Sequence, residues 1–279
     1  RIAHGLVTTF PPEMEQRVVV RTELEGQLRR SLIGSGPTIV FQPIVNLGSG
    51  DTVAVEALAR WHSPTQGPIG PDRFVAMAEH MGIVDQLDRH VLRKACREMI
   101  DQRDPGNGRL VDVTVNISTI HLASDEFARG ILQIVESAQF DPSRLVLEVT
   151  ESIGVEYNDV LEEELKTLRA NGVRIALDDF GTGHSSLAQL ETLAVDYLKV
   201  DRTFLTGMSE SPRRLRYVET IVDMAAALDL TVVFEGIETV EQARSLADLG
   251  VTLGQGFLLA APISAGDLTE RMRFARSAA

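Results

Sequence analysis

From Thr38 onward the chain alternates two kinds of segment. Short apolar runs recur at Thr38–Val45, Thr52–Arg60, Val111–Ile117, Leu145–Thr150, Val173–Leu177, Tyr197–Val200, Thr231–Phe234 and Val251–Gly256. Several are rich in valine and isoleucine, so each predicts a strand. Between most of them, helical spacing of apolar positions predicts helices at Asp72–Met81, Val84–Asp101, Leu122–Ala138, Val160–Ala170, Pro212–Leu228 and Val240–Leu249. Several of these stop at a glycine, as at Gly172 and Gly250. Ahead of the alternation, residues 1–12 read as irregular, and Glu13 to about Ile33 reads as a helix. Leu24, Leu28 and Leu32 give that helix one apolar stripe, and Gly26 weakens it. It either links to an upstream domain or closes one end of the domain built from the alternating segments.

Strands alternating with helices predict an α/β protein with a TIM-like (β/α)8 barrel. One connection breaks the pattern. Only Asn46-Leu47-Gly48-Ser49-Gly50-Asp51 separates the first two strands, and a parallel crossover needs a dozen residues or more. They should form a hairpin, with the first strand antiparallel to the rest. The expected division is an N-terminal segment with a linker-like helix over 1–29 and the barrel domain over 30–279.

Composition narrows the picture. A length of 279 residues suits one barrel, and 44% hydrophobic with only 5% aromatic residues implies an aliphatic core. A single cysteine, Cys96, excludes an intrachain disulfide and fits a reducing compartment. No apolar run approaches a membrane span and no secretory pattern is present, so a cytoplasmic location is expected, with attachment through an upstream segment left open. A net charge of -13 argues against a nucleic-acid polymer as partner. An anionic substrate would reach a carboxylate-rich site only if metal ions supplied positive charge.

Polar residues recur in or at the ends of the strands: Gln42, Glu56, Asn116, Glu148, the pair Asp178-Asp179, Lys199 with Asp201, Glu235 and Gln255. Any one alone reads as a buried ion pair or a cap. Their recurrence on strand after strand reads as a site, because a barrel gathers its C-terminal strand ends around one point. Carboxylates and an amide, without histidine or cysteine, suit a hard ion such as Mg²⁺ or Mn²⁺. Adjacent Asp178 and Asp179 either bridge two metals or leave Asp179 as a helix cap. Lys199 either snorkels to the barrel end or pairs with one of these aspartates and orients a water. Glu235 is the candidate for assisting proton removal. Arg60 either clamps a phosphate or is structural.

The blocks around these residues resemble the EAL-domain cyclic di-GMP phosphodiesterases. The signature Glu56-Ala57-Leu58 follows Gln42-Pro43-Ile44-Val45 and precedes Ala59-Arg60-Trp61. The likeness continues through Val115-Asn116-Ile117-Ser118, Leu147-Glu148-Val149-Thr150-Glu151-Ser152, Asp178-Asp179-Phe180-Gly181-Thr182-Gly183, Leu198-Lys199-Val200-Asp201, Glu235-Gly236-Ile237-Glu238-Thr239 and Gln255-Gly256. The resemblance implies a two-metal site of Mg²⁺ or Mn²⁺. Glu56, Asn116, Glu148 and Asp178 would hold one ion, and Asp178 and Asp179 the second with Glu235 nearby. Lys199 would position the hydrolytic water. Gln42, Leu58, Arg60, Asp201, Glu238 and Gln255 would lie along the dinucleotide or support its pocket. Glu151 would brace the loop Asp178–Ser186, near a homodimer interface. The implied reaction opens cyclic di-GMP to linear pGpG, beside a possible upstream sensory or GGDEF domain. Two positions depart from the family pattern: His184 replaces a common tyrosine, and Ala261 stands where many members are basic. A silent cyclic di-GMP receptor, or an enzyme for another phosphodiester, are the competing readings.

Overall fold

The computed structural model describes residues 12–124, 126–151, 158–181, 190, 193–208, 211–268 and 270. Helix α1 spans Pro12–Ile33 and leads into an antiparallel hairpin of β1 (Thr38–Asn46) and β2 (Thr52–Ser63). A short strand β3 (Gly67–Ile69) folds back on the end of β2, and α2 (Pro71–His80) and α3 (Val84–Met99) follow. Strand β4 (Asp112–Asn116) is followed by α4 (Thr119–Leu122) and α5 (Phe127–Ser137), then β5 (Leu145–Thr150) and α6 (Asp159–Ala170). The order continues with β6 (Arg174–Phe180), β7 (Tyr197–Val200), α7 (Pro212–Ala227), β8 (Thr231–Phe234), α8 (Val240–Asp248) and β9 (Leu253–Gly254).

The strands run in the order β1-β9-β8-β7-β6-β5-β4-β2-β3, and β1 also pairs with β2. That extra pairing closes an eight-stranded barrel and leaves β3 outside it as a flap on β2. Strand β1 is antiparallel to both its neighbours, and the remaining barrel pairs are parallel. The short hairpin therefore has the consequence expected of it. Outward-facing positions such as Val113, Val115, Leu145, Leu147, Ile175, Leu177, Leu198 and Val200 are buried against the helices in one core. Leu24 and Leu28 of α1 join that core. Gln27 is fixed there too, accepting from Ser63 Oγ at 2.6 Å and donating to Thr65 Oγ1 at 3.0 Å. The second half of α1 thus packs on the barrel.

Three elements differ from the sequence expectation. The helix expected over Leu122–Ala138 is split. Ser118 caps the first short turn by accepting from the Ile120 N–H, and Glu126 at φ 61° takes a left-handed turn that no continuous helix contains. The strand β3 carries no periodic signal, because its pairing with Trp61–Ser63 is what extends it. The last strand pairs only at Leu253 and Gly254. Beyond it the chain runs so close to Ile237 that a Cβ on Gly256 would lie 2.1 Å from the Ile237 carbonyl oxygen.

Candidate active site

Side chains alternate across a strand, so positions two apart share a face. In this barrel Glu56, Asn116, Glu148, Asp178 and Lys199 all fall on the inward face, toward the C-terminal ends of their parallel strands. They converge on one cation. Lys199 Nζ lies 2.6 Å from Glu235 Oε1, 2.8 Å from Glu148 Oε2, 3.2 Å from Asp178 Oδ1 and 3.8 Å from Glu56 Oε2. Of the alternatives left by the sequence, Lys199 does not snorkel out. It is 1% exposed and lies among the carboxylates.

The ring is fixed from both sides. Asn116 Nδ2 donates to Glu56 Oε1 at 2.8 Å, and Gln255 Nε2 donates to Glu56 Oε2 at 2.7 Å. Asp178 Oδ1 also accepts from the Asp179 N–H at 2.9 Å. Asp179 itself sits at φ 57° and is exposed, so it stands at the rim while Asp178 points in.

Four carboxylates against one ammonium leave an excess of negative charge. Burial raises the Glu148 carboxyl well above its ordinary range, and the neighbouring Glu56 and Asp178 add to this against the pull of Lys199. Burial, with Asp178 and Glu56, likewise pushes Glu235 to about 7 despite Lys199. Burial and Asp178 raise Asp179. Glu56 is also buried, but Lys199 and the amides of Gln255 and Asn116 outweigh that and hold it below the ordinary value. Burial opposes the charge on Lys199, and the surrounding carboxylates overcome it, holding the ammonium well above the usual lysine range.

This donor set fits divalent cations. It consists of hard oxygen ligands in excess of the charge that compensates them. Glu148 Oε1 and Gln255 Oε1 are buried without a hydrogen-bond partner among the described residues. The carboxylates here close on Nζ, and among the described residues no three His, Cys, Asp or Glu side chains surround an open point.

A cavity of about 500 Å³ opens beside the ring. Its lining includes Leu58, Arg60 and Asn116, together with Glu79, Asp88 and Ser118. Arg60 donates to the Ala59 carbonyl at 2.9 Å. Gln42 lies across the hairpin from Glu56 and donates to the Ala260 carbonyl at 3.3 Å. Asp201 and Glu238 take no part in the Lys199 cluster. Asp201 caps the short turn Arg202–Phe204 by accepting from Thr203 N–H, and the Glu238 N–H donates to Gln242 Oε1 in the capping box of α8. Glu151 is buried beside the end of β6 and accepts from the Gly181 N–H at 3.2 Å. Thr182, His184, Ser185 and the rest of that loop lie outside the described residues. Sequence reasoning missed Asp88, which accepts from the Ser118 N–H at 3.0 Å and meets His121 Nδ1 at 3.1 Å under this cavity. Its signal was present: a charge set on the apolar stripe of α3, between Leu87 and Val91.

The EAL domain model matches residues 25–262. The chain belongs to the EAL domain family. It is 38% identical over 264 residues to a cyclic di-GMP phosphodiesterase of Pseudomonas aeruginosa, NbdA, covering 95% of this chain and 34% of that protein. It is 34% identical over 261 residues to the cyclic di-GMP phosphodiesterase PdeR of Escherichia coli, covering 94% of this chain and 39% of that one. Thus the chain spans well under half the length of these curated relatives. Among solved structures it resembles the PaMucR phosphodiesterase in complex with c-di-GMP, with 36% identity and a TM-score of 0.80. That match covers 88% of this chain and 99% of the other. Membership in the EAL family carries an expectation of divalent metal dependence, which the donor set above fits. No helix among the described residues is long and apolar enough to cross a membrane.

Proposed function

We propose that this EAL domain hydrolyses cyclic di-GMP to linear pGpG with Mg²⁺ or Mn²⁺. The observation that carries the reading is the convergence of Glu56, Asn116, Glu148, Asp178 and Glu235, from separate strands, around buried Lys199. The likeness to an EAL phosphodiesterase solved with c-di-GMP supports the substrate.

Glu56, Asn116, Glu148 and Asp178, with Asp179 at the rim, are the residues that would hold the metal. When bound, divalent ions offset phosphate charge and lower the pKa of water. The chain's own groups do the rest. The three donors of Lys199 face Glu235, Glu148 and Asp178; with those carboxylates turned to a metal, the ammonium would be free to hold a water facing the substrate phosphorus. Glu235, poised at about 7 and 2.6 Å from Lys199, accepts that water's proton as the P–O bond to the ribose oxygen breaks. The cavity past Asn116 offers Leu58 an apolar contact with a base and lets Arg60 clamp a phosphate. Gln42, across the hairpin from Glu56, and Gln255, hydrogen-bonded to Glu56, flank the ring, and Asp201 and Glu238 support turns after β7 and β8. We extend the reading to a homodimer through the loop that Glu151 braces, to a division at residue 29, to a cytoplasmic setting, and to an upstream sensory or GGDEF domain. In the curated relatives most of the chain lies outside the matched region, which agrees with such a layout.

The test is incubation with cyclic di-GMP and Mg²⁺ or Mn²⁺, with the product resolved by chromatography. Linear pGpG should form, and excess chelator should stop it. Ca²⁺ should support it poorly because its coordination is longer and looser. Binding without turnover under all metals would establish a receptor instead, and turnover that survives chelation would overturn the metal assignment.

A further inference from the structure

Beneath the charged ring the bore of the barrel is not filled. One pleat closer to the N-terminal strand ends, the inward positions include Ile44, Ala54, Val146, Ala176 and Val233, all buried. They line a cavity of about 220 Å³. Barrels usually pack such layers with bulky branched side chains; alanine at 54 and at 176 leaves the space open. Ile44, Ala54 and Val233 form a small cluster of their own, apart from the main core.

The roof of this cavity is polar. Thr114 and Glu148 both line it, at 4% and 0% exposure. Thr114 Oγ1 and Glu148 Oε1 are buried without a hydrogen-bond partner among the described residues. Leaving such groups unsatisfied is unfavourable, more so for a charged one. The mouth is formed by the half-buried Asp112, Tyr197 and Leu253, each the first residue of its strand. Arg174 engages two of them, donating to Asp112 Oδ2 at 2.7 Å and to the Tyr197 hydroxyl at 2.5 Å.

We propose that the bore is a binding site for a small neutral molecule, one ring in size, with an apolar body and a hydroxyl group. A cavity of about 150 Å³ already admits benzene, so the volume is sufficient. Aliphatic walls favour an apolar body, whereas water needs two to four polar partners and finds them at the roof and the mouth but not along the walls. The roof oxygens accept a hydroxyl proton. Net charge has no complement here, since Glu148 is already opposed by Lys199 and Asp112 by Arg174. The site shares Glu148 with the ring above it but plays no part in the reaction assigned there.

The test titrates the methyl-labelled chain with phenol and follows methyl resonances. Saturable shifts should appear at Ile44, Ala54, Val146, Ala176 and Val233. Benzene, which lacks the donor, should bind about tenfold or more weakly. Ala176→Leu, or Ala54→Val should the first fold poorly, narrows the bore and should remove the phenol shifts. Thr114→Val removes one acceptor at nearly constant shape, so it should weaken phenol about tenfold and leave benzene unchanged. The proposal is overturned if the wild-type shifts do not saturate, or if they persist in both narrowed variants. Equal affinity for phenol and benzene would likewise overturn it.

Discussion

The two halves of the barrel interior make opposite use of the same strands. Toward the C-terminal strand ends the inward positions are Glu56, Asn116, Glu148, Asp178 and Lys199; one pleat below them are Ala54, Thr114, Val146, Ala176 and Tyr197. Two residues, about 7 Å of strand, separate a ring of buried charge from a mostly aliphatic bore. The upper half tolerates burial because its charges face one another: every carboxylate of the ring lies within 4 Å of the Lys199 ammonium. Among the described residues, the inward positions of the lower half carry no such pair, and the salt bridge of Arg174 to Asp112 sits at the mouth. Buried charge in this fold is thus a matter of company and not of depth.

The most severe way to break the contrast is to place a charge in the lower half. Val233→Asp puts a carboxylate among Ile44, Ala54 and Leu253, where Lys199 on the paired strand is already shared by four carboxylates, and it should cost at least about 4 kcal/mol, enough to threaten folding. Chemical denaturation beside the Val233→Ala control measures it; a loss no greater than the control's would show that the bore solvates charge. The next effect lies in the upper half. Lys199→Met and Glu235→Gln should each lower kcat for cyclic di-GMP about 10²–10⁴-fold, the usual scale for a general acid or base. Nucleotide binding should persist in part because the cavity at Leu58 and Arg60 remains. Near-normal kcat in either variant would remove that residue from the proposed mechanism.

A smaller change is expected at the rim. Glu151 accepts from the Gly181 N–H just past Asp178 and Asp179, so Glu151→Ala should lower specific activity about tenfold, the worth of one charged hydrogen bond. The loss should deepen on dilution if the loop also meets a second subunit. Unchanged activity at every dilution, with an unchanged melt, would reduce Glu151 to a local cap. The smallest effect sharpens the contrast from outside the barrel. Cys96 is wholly buried on α3, and burial pushes its thiol to about 12. Alkylating reagents at pH 8 should leave the native chain unlabelled and label it only on unfolding, so rapid native labelling would show that α3 opens.

Much of the fold and of the site was legible in the sequence. Strand positions, the antiparallel first strand and the polar residue carried by each strand end are properties of short segments and of one connection too short for a crossover. The family blocks identified the residues that the barrel gathers. Other features were not legible in this way. Leu122–Ala138 reads as one helix because its apolar spacing is continuous, and only the left-handed turn at Glu126 breaks it. Asp201 and Glu238 stand in family blocks, yet locally they serve turns and caps.

The sequence by itself determined the barrel and which side chains share its inward face, because a strand's period of two is local and survives any packing. Only the tertiary structure decided which of those side chains meet. Gln255 reaches Glu56 across 199 positions of sequence, and Lys199 reaches Glu148 across 51, because closure of the sheet brings strands together that the chain separates. Closure likewise decided that two alanines leave a bore open beneath the charged ring, since a cavity depends on the volume of all the strands' side chains at once and on none of them singly.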